Sequence, residues 1–287
     1  MALVKIPDAA GETINFIEFK GRLYPNFSIS SVEAIPNFKV RADDIFLIAY
    51  PKSGSHWLWE VCRMLVAGTV DVKIRPKQSM MLEIGSHEEI DQEPSPRVLN
   101  AHLRLDEMPK DFTKFNNKII YIRRNLKDIA VSFYNHTLKF YDYYQYKGEW
   151  KNYLKMVLDG RVDYNSWFDF VLHWEEVIAT HPNLRILELT YEDMIECPNR
   201  EFKKIAEFLE VPFDDKLLTD VVHKCSFKSM KGRKGHFYLS PEGDSVVYRK
   251  GEVGDWKNWF TVAQNEWFDQ IYDEKMAASK LMFKYSK

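Results

Sequence analysis

Residues 44–50, DIFLIAY, form a short apolar run of the kind that fills a buried strand, and Pro51-Lys52-Ser53-Gly54-Ser55 breaks it at once. From His56 to Val66 the apolar residues Trp57, Val61, Met64 and Leu65 then recur at helical spacing. Strand, tight turn and helix in immediate succession leave few folds open, because the strand must be flanked and its faces covered. A second such unit runs from the strand 118–123, KIIYIR, through Arg124-Asn125 into a helical stretch from Leu126 to about Tyr134, with Asn125 as its N-cap. Residues 184–190, LRILELT, read as a third strand, 201–210 and 265–278 as helices, and Val98-Leu99 as the end of another strand. With no repeat, low-complexity tract or Gly/Ser linker, this pattern predicts one α/β domain over residues 1–287, a central, mostly parallel sheet with helices on both faces. In such sheets ligands bind beyond the carboxyl ends of the strands.

Composition narrows the function classes. A formal net charge of -2 carries no basic field of the kind that marks nucleic-acid binders, so an anion site has to be built from a few placed residues. The three cysteines, Cys62, Cys197 and Cys225, are scattered without CxxC spacing, which argues against a disulfide framework and against zinc. The first residues lack the apolar core of a signal peptide, and no apolar run approaches the roughly 20 residues of a membrane span. The expected location is a reducing compartment, most simply the cytoplasm. Aromatic residues make up 15% of the chain, which fits either a ring-rich core or an apolar pocket for a flat ligand.

The segment from Tyr50 to Trp57 follows a strand and opens a helix, where free backbone N–H groups and the helix dipole favour an anion. Ser53 and Ser55 add hydroxyl donors, Gly54 permits close backbone approach, and Lys52 adds a mobile charge. A capped helix start with an incidental lysine is the alternative for this segment taken alone. Walker A, with its lysine after the glycine, is absent, which counts against a nucleotide kinase of the P-loop type.

YPKSGSHW resembles the 5′-phosphosulfate loop of the cytosolic sulfotransferases, usually YPKSGTTW. Residues 123–132, RRNLKDIAVS, resemble the family's 3′-phosphate segment, and 249–258, RKGEVGDWKN, its RKGxxGDWKN signature. Tyr191-Glu192-Asp193-Met194 and Ser226-Phe227-Lys228-Ser229-Met230 extend the likeness along nearly the whole chain. The resemblance implies transfer of a sulfuryl group from 3′-phosphoadenosine 5′-phosphosulfate (PAPS) to a hydroxyl or amine of a small molecule such as a phenol, steroid or alcohol, with PAP as product and no metal.

The resemblance also implies roles. Lys52, Ser53, Gly54, Ser55 and His56 face the 5′-phosphosulfate, with His56 standing where relatives have a small hydroxyl residue. Arg124 and Ser132, with Arg249, Lys250 and Gly251, surround the 3′-phosphate; eight residues apart across a strand-to-helix turn, Arg124 and Ser132 can face one anion. A surface ion pair with Asp128 is the alternative for Arg124. Trp57 and Phe227 sandwich the adenine, Tyr191 lies beside it, and Ser226, Met230, Val247 and Tyr248 complete the nucleotide site. Cys225 stands where relatives have Thr or Ser on the adenine amine; a small buried packing residue is the alternative. His102, in an Ala-His-Leu match to the family's THL motif, is the expected acceptor base, since a neutral imidazole takes a proton readily near pH 7. Lys52 stabilises charge on the leaving oxygen, and Ser132 holds Lys52 back until acceptor binds.

Tyr24, Phe27, Met80, Met81, Asn100 and His136 are candidate acceptor contacts, Asn100 replacing a lysine frequent in relatives. Residues 232–246 are expected to form a lid. Lys257, Thr261, Val262 and Glu266 fit the family's KxxxTVxxxE homodimer motif. Rival readings are a P-loop nucleotide kinase, which would need Mg²⁺, a catalytically inactive nucleotide-binding protein, and a Golgi sulfotransferase, which would bring a membrane anchor.

Overall fold

The computed structural model describes residues 2–27, 29–240 and 243–286. Its centre is a four-stranded parallel sheet in the order β5-β4-β6-β7, from β4 (Ile45–Ala49), β5 (Val98–Ala101), β6 (Lys118–Arg123) and β7 (Arg185–Thr190). All five residues of β4 are buried, as a strand covered on both faces requires. Its register with β5 starts at Ile45 and Val98. Immediately before these two residues, Arg97 clasps Asp44 with two hydrogen bonds of 2.7 and 2.6 Å, both side chains fully buried.

The helices follow the strands as the sequence pattern predicts. Helix α1 (Ser55–Ala67) begins one loop after β4, and α2 (Leu126–Lys139) begins at once after β6. Asn125 caps α2 by accepting from the Asp128 amide at 2.8 Å. The helix runs five residues past Tyr134, because Phe133 and Thr137 keep it in the core. Helices α3 (Trp150–Leu158) and α4 (Trp167–Thr180) lead into β7, which turns directly into α5 (Tyr191–Glu196), capped by Thr190. Helices α6 (Pro198–Leu209), α7 (Asp215–Lys224), α8 (Phe227–Lys234) and α9 (Val262–Lys275) complete the layers. No helix among the described residues is long and apolar enough to cross a membrane.

An antiparallel sheet of β1 (Ala2–Pro7), β2 (Thr13–Phe19) and β3 (Arg22–Tyr24) precedes the parallel one and was not expected from the sequence pattern. The Lys20-Gly21 turn between β2 and β3, with positive φ at both residues, matches the twist of a tight hairpin. Strand β3 braces the site: Arg22 donates to the His102 carbonyl at 2.9 Å, and the Leu23 carbonyl accepts from the Tyr164 amide at 2.8 Å. The chain leaves β4 for β5 on one side and leaves β6 for β7 on the other, so the connections diverge beyond the carboxyl ends of β4 and β6.

Candidate active site

Each parallel strand delivers one expected residue just past its end: Lys52 after β4, His102 after β5, Arg124 after β6 and Tyr191 after β7. All four line one cleft with about 1270 Å³ between its walls, part of it open to solvent.

The loop after β4 is shaped for an anion. Lys52 adopts the left-handed region with φ +69°, and Gly54 with φ +97° serves as N-cap of α1 without any side-chain cap. The Ser55 and His56 amides are therefore left for a ligand, whereas that of Trp57 already donates to the Gly54 carbonyl at 3.0 Å. A Cβ at position 54 would lie 2.6 Å from the Tyr191 ring, so only glycine fits there. Ser53 Oγ, His56 Nδ1 and Trp57 Nε1 are buried without a hydrogen-bond partner among the described residues. Burial first, then the charges of Lys77 and Lys52, keep His56 well below the usual histidine range, so its ring is neutral. Buried polar atoms without partners are costly, and His56 and Trp57, unlike Ser53, line the cleft.

Arg124 is buried, with its guanidinium 4.1 Å from the Tyr191 ring centre. It donates to the carbonyls of Lys52 and Glu252, both at 3.1 Å, tying the first loop to the signature segment at 249–258. Asp128 is not its ion-pair partner: that carboxylate accepts from the amides of Gly254 at 2.8 Å and Trp256 at 3.1 Å, pinning the same segment to α2. Asp255 in turn pairs with Arg249 at 2.6 Å and Lys250 at 2.5 Å. Burial pushes the Asp255 carboxyl up, but bonds from Lys250, Asn258 and Arg249 outweigh it and hold it at about 2. Gly251, φ +73°, lies so close to Phe227 that a Cβ would come within 2.3 Å of the ring. Ser132, Met230, Val247 and Tyr248 line the cleft, whereas Ser53 and Ser226 lie outside its wall.

His102 is held from three sides. Its backbone amide donates to Glu83 at 2.5 Å, its ring meets the Tyr164 ring edge-on at 5.3 Å, and Nδ1 lies 2.6 Å from the Ala49 carbonyl. A carbonyl only accepts, so Nδ1 carries the hydrogen and Nε2 keeps its lone pair. Burial, then the charge of Lys77, hold this imidazole well below the ordinary histidine range despite the opposing bond to Ala49. Burial, followed by the charges of Arg124, Lys77 and Arg249, lowers Lys52 to about 7. Its Nζ is 3.1 Å from His136 Nδ1, so its partner here is His136 and not Ser132.

Among the expected acceptor contacts, Met81 and His136 line the cleft. Tyr24 packs behind it against Tyr164 at 5.4 Å, Phe27 packs against the core, and Met80 is buried away from the cleft. Asn100 points back from β5 to the carbonyls of Met80 at 2.9 Å and Lys77 at 3.4 Å, because a buried amide takes the nearest acceptors. The Cys225 thiol lines the cleft but lies 3.7 Å from the Met64 sulfur, which supports the packing alternative.

The cleft also contains Lys77, Asp163, Tyr144 and Tyr164, which sequence reasoning did not select. Tyr144 belongs to the ring-dense run 140–146, FYDYYQY, directly after α2, but nothing in the sequence around the other three signalled a site. Asp163 accepts from Tyr144 at 2.5 Å, its second oxygen has no partner among the described residues, and burial raises it to about 7. The described residues of 232–246 are packed down and none of them lines the cleft: Gly232–Lys234 belong to α8, Lys234 pairs with Glu60 at 2.6 Å, and Tyr238 bonds Gln78. Pro241 and Glu242 of that stretch lie outside the described residues.

Comparison with known proteins agrees with this geometry. The sulfotransferase domain family matches residues 42–280. Sulfotransferase 1B1 of Canis lupus familiaris is 39% identical over 269 residues, covering 88% of this chain and 90% of the relative. Sulfotransferase 1A1 of Mus musculus is 35% identical over 284 residues, covering 93% and 96%. The crystal structure of mouse sulfotransferase SULT7A1 complexed with PAP superposes with a TM-score of 0.78 at 33% identity, covering 92% of this chain and 95% of that one. The chain belongs to the cytosolic sulfotransferase family and is a PAPS-dependent sulfotransferase acting on small molecules.

Proposed function

We propose that His102, Lys52 and Ser132 carry out the transfer, and that the acceptor is a hydroxyl or amine on a small, partly aromatic molecule. The observation that carries this reading is the free Nε2 of His102 in the same cleft as the Lys52 ammonium. His102 Nε2 takes the acceptor proton as the acceptor oxygen or nitrogen bonds to sulfur. Lys52 meets the electron pair left on the 5′-phosphate oxygen when its bond to sulfur breaks. Ser132 lies on α2 one turn before His136, placed to receive Lys52 once that lysine leaves the imidazole. Arg124, Arg249, Lys250 and Gly251 hold the 3′-phosphate, and Trp57, Phe227 and Tyr191 the adenine. Met81, His136, Tyr144 and Tyr164 form the acceptor side.

Lys257, Thr261, Val262 and Glu266 form a homodimer contact in this reading. All four are exposed, Val262 at 76%, so they are accessible to a second copy. The three free cysteines suit a cytoplasmic location. Labelled PAPS tested against a panel of phenols, steroids, alcohols and amines, with and without Mg²⁺, examines the whole reading. Label transferred to a phenol without Mg²⁺ supports it; no transfer to any acceptor, or strict dependence on Mg²⁺, would sink it.

A further inference from the structure

Lys77 is 1% exposed, yet no carboxylate oxygen lies within 4.0 Å of its ammonium among the described residues. Its Nζ has two neighbours, Ser55 Oγ at 3.3 Å and the Met81 sulfur at 3.7 Å. A hydroxyl and a thioether do not compensate a buried cation, and the carboxylate that acts on it from beyond that range, the buried Glu83, accepts from the His102 amide and not from the ammonium, which leaves a place for an anion beside Lys77.

The backbone of Lys77 is clamped, so the side chain is aimed and not adrift. Its amide donates to Tyr238 Oη at 3.0 Å, and its carbonyl accepts from Asn100 Nδ2 at 3.4 Å. Lys77 lines the same cleft as Lys52, His56 and His102. Ser55 is the first residue of α1, on the loop that receives the donor's anion, and not on the acceptor side.

We propose that Lys77 is a second catalytic cation, binding the non-bridging oxygens of the donor's sulfuryl group together with Ser55. This rests on the PAPS-dependent reading above. Lys52 serves the oxygen that departs with the nucleotide; Lys77 serves the group that moves. Sulfuryl oxygens carry negative charge throughout transfer, and a fixed cation there positions the sulfur for in-line attack.

Lys77→Met tests it, because methionine keeps the length of the chain; a melting curve verifies that the fold survives the loss of a charge that acts on the buried Glu83. Calorimetry without acceptor compares PAP with PAPS, which differ only in the sulfuryl group. PAP affinity should stay within about twofold of wild type, PAPS affinity should fall about tenfold, and kcat should fall on the order of 10²-fold. Lys77→Arg should restore part of the PAPS affinity. Unchanged affinity for PAPS, or a defect confined to KM for the acceptor, would overturn the assignment; the latter would make Lys77 a contact for an anionic acceptor. Wild-type protein that binds neither nucleotide would overturn the donor reading itself, a result independent of the variant.

Discussion

Nδ1 of His102 lies 2.6 Å from the carbonyl oxygen of Ala49, so the last residue of the central strand dictates which nitrogen of the imidazole is free. The bond spends the Nδ1 hydrogen on the scaffold and leaves Nε2 as the basic atom in the cleft. Replacing His102 by alanine should lower kcat on the order of 10²-fold or more while leaving PAP affinity near native. Initial rates with a phenolic acceptor, beside calorimetry with PAP, check this. A variant that keeps most of its turnover would remove His102 as the base.

The pH dependence follows from two lowered values. His102 is already neutral below the ordinary histidine range, so it adds no inflection near pH 6.5. Lys52 loses its proton at about 7 in the free protein, and the charged form is the one that attracts the donor. kcat/KM for PAPS should therefore fall as pH rises above that value. The bound anion raises the Lys52 pKa, so kcat should fall only at higher pH. A kcat/KM profile flat between about pH 7 and 9 would contradict the assignment.

Arg124 already donates to two backbone carbonyls, and its Nε is buried without a partner among the described residues. Arg124→Ala should weaken PAP binding by roughly 1.5–3 kcal/mol, the range of one charged hydrogen bond. Binding of the nucleotide lacking the 3′-phosphate should change little. Equal losses for both nucleotides would mean that Arg124 serves the loops and not the phosphate.

Cys225 caps the end of α7 with its sulfur against Met64, and burial pushes its thiol up to about 12. Cys225→Thr sets a hydroxyl against a thioether, so the apo melting temperature should drop, with a cost of about 1–3 kcal/mol if the hydroxyl stays unpaired. PAP affinity should not improve. Tighter PAP binding with an unchanged melting curve would instead place this side chain on the adenine.

Burial raises Asp163 to about 7, well above its value in an unfolded chain. Its contribution to stability is then fully present at low pH and is lost as pH rises through about 7. Asp163→Asn, which keeps an acceptor for Tyr144, should melt several degrees higher than wild type near pH 8 and equally near pH 4. The opposite order near pH 8 would show a stabilising charge on Asp163.

The alternating strands and helices, the parallel sheet and the loops at 50–57, 124–132 and 249–258 were legible in the sequence, because local periodicity and contiguous motifs encode them. So were Lys52, His102 and Arg124, each a step beyond the end of a strand. Tertiary structure alone decided what surrounds them. Lys77 and Asp163 reach the cleft from segments with no motif, 25 and 111 residues after Lys52 in a chain that closes on itself. Asn100 was expected beside the acceptor but is turned onto the Lys77 and Met80 carbonyls, and Cys225 is turned toward Met64. The tautomer of His102 depends on a carbonyl 53 residues away. Side-chain direction, burial and pairing depend on neighbours distant in sequence, and a local pattern carries no record of them.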